Sequence, residues 1–129
     1  MAALRRLGCW SDAKLAEAAR RGLVQASLPG RLELIARKPW ILVDSAHTPK
    51  SAASSREVMD AIPARRRHLV LSISRSKSSE AIVTELLRGV DAVWVTRADP
   101  KRSMEPDALA SLASRIAPEC EVNLLDDPS

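Results

Sequence analysis

Three side chains of complementary chemistry, Arg31, Asp44 and His47, lie close together in the chain, each beside a signal for a sharp change in backbone direction. Arg31 belongs to Leu28-Pro-Gly-Arg-Leu-Glu33, where proline sets a turn and glycine lets backbone approach a ligand closely. Its guanidinium is a planar fork that matches phosphate oxygens. Asp44 follows the apolar run Trp40-Ile-Leu-Val43, so its carboxylate emerges where a strand ends and a helix is about to begin. A carboxylate there can accept two hydrogen bonds from a ribose diol. His47 sits just ahead of the helix start and can stack on, or hydrogen-bond to, a nucleotide in the same crevice. A free imidazole is mostly uncharged at neutral pH, which suits those tasks better than holding phosphate. Lys77, in a serine-rich loop, is a weaker phosphate candidate. Each residue also has a plain structural reading: a solvated strand-edge arginine, a carboxylate that caps the turn or pairs with a lysine, a histidine that braces the loop, and a solvated lysine.

Other chemistries lack their residues. The chain contains no Gly-x-x-x-x-Gly-Lys-Ser/Thr phosphate loop. No Gly-x-Ser-x-Gly elbow surrounds Ser45 or Ser74, which argues against serine hydrolysis, and no second histidine or cysteine stands at metal-ligand spacing from His47, so a metal site is not expected. The net charge of +4 suits an anionic partner, yet Phe and Tyr are both absent, which removes the usual stacking platforms for single-stranded nucleic acid. Arg65-Arg-Arg67 reads as a charged helix-to-strand connection, with nucleic-acid contact as the lesser alternative. Cys9 and Cys120 are far apart and read as reduced packing residues. There is no apolar run of about eighteen residues and no secretory leader pattern, so a cytoplasmic protein is expected.

The elements that must position these residues can be read from periodicity. With 129 residues and 46% apolar composition, the chain fits a single domain over residues 1–129. Ser11 can cap a leading helix over 12–21 that stops at Gly22, and an α/β body then occupies about 28–125. Arg31 to Ala36 alternates as a strand, Arg37-Lys-Pro39 breaks it, and Trp40 to Val43 reads as a second, fully buried strand. Thr48 as cap and Pro49 at the first helical position open a helix that places Ala52, Ser55, Met59 and Ile62 on one side, and Pro63 closes it. Apolar runs at His68 to Ile73, Ala92 to Thr96 and Glu121 to Leu125 alternate with helical patterns at Ser79 to Arg88 and Pro106 to Ala117. Trp40 and Trp94 sit in apolar strands and are expected in the core. Strands alternating with helices in this way predict right-handed crossovers and a three-layer α/β/α domain with a mostly parallel sheet. The pattern stops at Asp126-Asp-Pro-Ser129, where a further helix and strand would be expected, so the fold is read as truncated at that end.

Together, Leu28-Pro-Gly-Arg-Leu-Glu33, the following strand and Asp44-Ser-Ala-His-Thr-Pro49 resemble the opening of the C-terminal domain of folylpolyglutamate synthase and dihydrofolate synthase, of the Mur ligase superfamily. The likeness extends through Arg21-Gly-Leu23, Ser74-Arg-Ser-Lys77 and the segment from Thr96 to Leu109. Ser45 stands where the family usually has glycine, Thr48 where asparagine is common, and Ser76-Lys77-Ser78 where Asp-Lys-Asp is common. Asp99-Pro100 is followed by an extra residue before Arg102. The resemblance implies a Rossmann-like fold in which Arg31 approaches the phosphates of ATP, Asp44 binds the nucleotide sugar and His47 shapes nucleotide or active-site contacts. It further implies one domain of an ATP- and Mg2+-dependent ligase that joins L-glutamate to folate or dihydropteroate through an acyl phosphate. The phosphate loop and magnesium ligands would come from a preceding ATPase-like domain of the same polypeptide, and the isolated chain would be inactive. The competing expectations are a peptidoglycan Mur ligase C-terminal domain and a stand-alone module that binds a nucleotide or a protein.

Overall fold

A helix needs a start, a buried face and a stop, and the second helix among the described residues shows all three in a few residues. In the computed structural model, which describes residues 12–25, 28–75 and 78–125, helix α2 runs Pro49–Ala61. Thr48 caps it by accepting a hydrogen bond from the Ser51 amide, and the Ser51 hydroxyl in turn accepts one from the Thr48 amide. That reciprocal box satisfies backbone donors that the helix itself cannot, and Pro49 occupies a position that needs no donor. At the other end, Arg67 reaches back to the carbonyls of Met59 and Ile62 before the chain enters the next strand. The triple-arginine segment therefore includes a residue that closes the helix it follows.

The element order is α1 (Asp12–Gln25), β1 (Glu33–Arg37), β2 (Trp40–Val43), α2, β3 (His68–Leu71), α3 (Ser79–Leu87), β4 (Ala92–Val95), α4 (Pro106–Ile116) and β5 (Glu121–Leu124). Strands β3, β4 and β5 pair in that order as a parallel sheet, with His68 opposite Ala92 and Ala92 opposite Glu121. Right-handed connections between strands that succeed one another in a single direction place α3 and α4 on the same face. The core forms there. Leu71, Val93 and Val95 of the sheet meet Ile82, Val83, Leu86 and Leu87 of α3 and Leu109 and Ala113 of α4, while Ala52 brings α2 into the same cluster. The α/β class with a parallel sheet flanked by helices is thus the fold, and β3 to β5 and α2 to α4 lie where periodicity places them.

Four details differ from the reading of the sequence. Helix α1 continues past Gly22 to Gln25, because Gly22 does not take the left-handed conformation that would end it. The Ser11 cap falls outside the described residues. Strand β2 does not join the parallel sheet: it pairs antiparallel with β1, through a bulge between Leu34 and Ala36, as a separate two-stranded ribbon. A two-stranded ribbon has no neighbour to cover it, so Trp40, Ile41 and Val43 are exposed rather than fully buried. Finally, neither tryptophan belongs to the core. Trp40 lies beneath the Arg37 guanidinium, 5.6 Å from its ring centre, and Trp94 stacks on His68 at 5.1 Å. Cys120 is buried, in keeping with a packing role.

A charged group lies inside this apolar layer. Arg56 of α2 is fully buried, and its two terminal nitrogens donate at 2.6 Å to the carbonyl of Arg88, at the end of α3, and at 2.6 Å to Asp60. The hydrogen bond from Arg56 holds the Asp60 carboxyl below its ordinary pKa of 3.8. The guanidinium therefore pins α2 to α3 and fixes where the first turns of α2 point. The burial pattern predicts sharply unequal costs of truncation. Leu109→Ala, at a site with no exposed surface, should lower unfolding free energy by about 3 kcal/mol, whereas Val70→Ala, 64% exposed, should change it by less than about 0.5 kcal/mol. Denaturant unfolding of the two variants checks this, and equal losses would contradict the core assignment.

Candidate functional site

The segment that carries Arg31 is shaped by its own residues. The Arg31 amide donates to the Leu28 carbonyl at 3.0 Å, and Gly30 has φ +68°, which together make the reversal typical of Pro-Gly at the centre of a type II turn. The Glu33 carboxylate closes the loop by accepting from the Gly30 amide at 2.7 Å. Leu32 then adopts φ +46°, a left-handed conformation that costs a branched residue roughly 1–2 kcal/mol and needs outside support. This is why β1 begins at Glu33 and not at Arg31. Between these two left-handed residues the Arg31 side chain is exposed and makes no ion pair among the described residues.

The support for Leu32 comes from Asp44. One carboxylate oxygen accepts the Leu32 amide at 3.1 Å, and the other accepts the hydroxyl of Ser55, a buried residue of α2. The end of β2, the Arg31 turn and helix α2 therefore meet at a single carboxylate. Two bonds leave part of its acceptor capacity free, since an ionised carboxylate offers about four lone-pair sites. His47 is exposed on the same connection, with Nδ1 3.2 Å from the Ser45 carbonyl. In the tautomer that donates from Nδ1 to this carbonyl, Nε2 is left as an acceptor. The His47 amide donates to Ser51 at 3.2 Å, so the capping box that starts α2 also fixes the histidine backbone.

Thus the backbone beside Arg31 is tied to Asp44 through the Leu32 amide, and His47 follows Asp44 on the turn into α2. Lys77 lies outside the described residues, as does Ser76. Among the described residues, no three His, Cys, Asp or Glu side chains group as a metal site. No helix among them is long and apolar enough to cross a membrane. Sequence reasoning missed Ser55 as a member of this cluster. The available signal was a hydroxyl on the inward face of α2, where a buried polar group requires a partner. It also missed a second network. Arg75 and Arg97 both bind Glu105, at 2.6 Å and 3.0 Å, and the Ser72 and Ser103 hydroxyls lie 3.1 Å apart, which ties the loop after β4 to the loop after β3.

With this geometry in view, comparison with known proteins is decisive: residues 30–128 match the Mur ligase glutamate ligase domain. The chain belongs to the Mur ligase family. It is 34% identical over 101 residues to a probable bifunctional folylpolyglutamate synthase/dihydropteroate synthase of Haloferax volcanii, a match covering 78% of this chain and 12% of the relative. It is 32% identical over 106 residues to the dihydrofolate synthase/folylpolyglutamate synthase of Mycobacterium tuberculosis, covering 80% of this chain and 22% of that protein. The chain therefore spans less than a quarter of either relative. Among solved structures, the M. tuberculosis folylpolyglutamate synthase complexed with ADP superposes with a TM-score of 0.76 at 28% identity, over 85% of this chain and 25% of that one. E. coli FolC in complex with DHPP and ADP superposes with a TM-score of 0.77 at 25% identity, over 98% of this chain and 28% of that one. The fold is that of the C-terminal domain of these Mur-type ligases.

The hydrogen bonding of the turn predicts a measurable coupling. Asp44→Ala removes the acceptor of the Leu32 amide, so exchange of that amide with solvent should accelerate by about tenfold or more, the equivalent of one hydrogen bond to a charged group. Amide exchange read by NMR decides it; an unchanged Leu32 rate would show that Asp44 does not hold the turn.

Proposed function

We propose that this chain is the C-terminal domain of an ATP-dependent ligase of the folate branch, one that adds L-glutamate to folate or dihydropteroate. The observation that supports the reading is the hydrogen bond that ties Leu32, the neighbour of Arg31, to Asp44, three residues before His47, within a glutamate ligase domain. In the reaction, a substrate carboxylate attacks the terminal phosphoryl group of ATP and ADP departs, leaving an acyl phosphate. The amine of L-glutamate then attacks the acyl carbon, an amide bond forms, phosphate leaves, and the amine gives up a proton. Negative charge is spread over the phosphoryl oxygens during transfer, so a fixed cation near them lowers the barrier.

Arg31 suits that role. Its side chain is exposed and uncommitted among the described residues, while its backbone is held by the turn. Asp44 keeps acceptor capacity for sugar hydroxyls, and Nε2 of the exposed His47, in the tautomer that donates from Nδ1 to Ser45, can accept a hydrogen bond from nucleotide or substrate. The described residues do not gather a magnesium site; bound Mg2+ would supply further charge neutralisation, on ligands from the preceding ATPase-like domain of the same polypeptide. That domain would also contribute the phosphate loop absent from this sequence, and this domain would close over ATP from the opposite side.

Two outcomes test the proposal. This chain alone should show no glutamate-dependent release of ADP, and turnover should require the preceding domain in the same polypeptide. In that full-length protein, Arg31→Ala should slow single-turnover acyl phosphate formation by about a hundredfold, the usual cost of losing one donor to developing charge. A single-turnover rate equal to that of the unsubstituted protein would remove Arg31 from the chemistry.

A further inference from the structure

The Asp44 carboxylate has a second partner that no sugar or phosphate contact requires. Ser55 is 3% exposed, and its hydroxyl lies within hydrogen-bond reach of both the Asp44 carboxylate and the Ser51 carbonyl, 2.9 Å away. A hydroxyl has one proton to donate. Given to the carboxylate, it makes a charge-assisted bond that outweighs a bond to a neutral helical carbonyl. The residue next to Ser55 is Arg56, which is anchored to the end of α3. The Ser55 oxygen is therefore presented from a helix fixed in the core, whereas Asp44 and Leu32 lie on connections outside it.

We infer that Ser55 is a positioning residue for the nucleotide site. Its hydroxyl sets the orientation of the Asp44 carboxylate, so that one oxygen holds the Leu32 amide under the Arg31 turn while the remaining lone pairs face the sugar. Without the hydroxyl, the carboxylate is free to rotate about its side-chain bonds. The loss then falls most heavily on the sugar contact, since Asp44 reaches the phosphates only indirectly, through Leu32 and the Arg31 turn. The inference rests on the proposed sugar contact of Asp44 and adds to it the group that aims it.

The test uses the full-length protein and two probes, ADP and 2′,3′-dideoxy-ADP, with dissociation constants measured by calorimetry. Ser55→Ala should raise the dissociation constant for ADP by about tenfold, the scale on which supporting hydrogen bonds tune a binding group, and raise that for the dideoxy analogue by clearly less, through the loosened Arg31 turn alone. Ser55→Thr, which keeps the hydroxyl, should restore the preference for ADP. Asp44→Ala should abolish that preference, and adding Ser55→Ala to it should have no further effect, because the serine acts through the carboxylate. If Ser55→Ala does not yield folded protein, Ser55→Cys, of similar shape and with a weak donor, carries the same comparison. Equal weakening of both nucleotides would make Ser55 a purely structural residue and overturn the inference. Loss of the preference in Asp44→Ala but not in Ser55→Ala would overturn it while leaving the sugar contact standing. An unchanged preference in Asp44→Ala would remove the sugar contact itself, and the inference with it.

Discussion

The site depends on one carboxylate that bonds in two directions. Asp44 accepts the Leu32 amide with one oxygen and the Ser55 hydroxyl with the other, and so joins the Arg31 turn, the end of β2 and helix α2. Leu32 needs this support, because its left-handed backbone is unfavourable for a branched side chain. A turn kept in that state is pre-organised, with an exposed arginine at its tip that is paired with no acid among the described residues. In the proposed function, a backbone already held in place leaves only the arginine side chain to settle against the transferring phosphoryl group.

Support for that carboxylate runs inward through α2. Arg56 is buried between α2 and the end of α3, where its bond to the Arg88 carbonyl satisfies a helix-terminal acceptor and its bond to Asp60 balances its charge. Removing such a charge from water is costly, so both bonds are needed to retain it inside. The result is a helix fixed at its middle by the Arg56 bond to the Arg88 carbonyl and at its start by the Thr48–Ser51 box, with Ser55 between the two. The stable parallel sheet and its helices thus serve as a base, and the β1–β2 ribbon and its turn are fastened to that base by hydrogen bonds.

Much of the base was legible in the sequence, because its signals are local. Thr48-Pro49 starts α2 for reasons confined to a few residues, and the apolar spacing of Ile82, Val83, Leu86 and Leu87 can serve only a helix with one buried face. The three candidate residues Arg31, Asp44 and His47 were legible as types at turns. What joins them was not. The Leu32–Asp44 and Ser55–Asp44 bonds connect residues distant in sequence, and neither periodicity nor turn chemistry encodes which long-range partner a carboxylate will choose. The exposure of Trp40 to Val43 was hidden for a related reason: a short apolar run reads the same whether it enters a covered sheet or a two-stranded ribbon. Ser55 shows how such a link can be sought, as a hydroxyl on an inward helix face that must find a partner.

A crystal structure of the full-length protein with ADP bound tests the central claim most directly, that the Arg31 turn and the Asp44 carboxylate form one nucleotide-facing unit. The account predicts the Arg31 guanidinium near the diphosphate and a sugar hydroxyl within about 3 Å of Asp44, with the Leu32 and Ser55 bonds to Asp44 still in place. ADP bound with Arg31 in solvent and Asp44 out of reach of the sugar would contradict it.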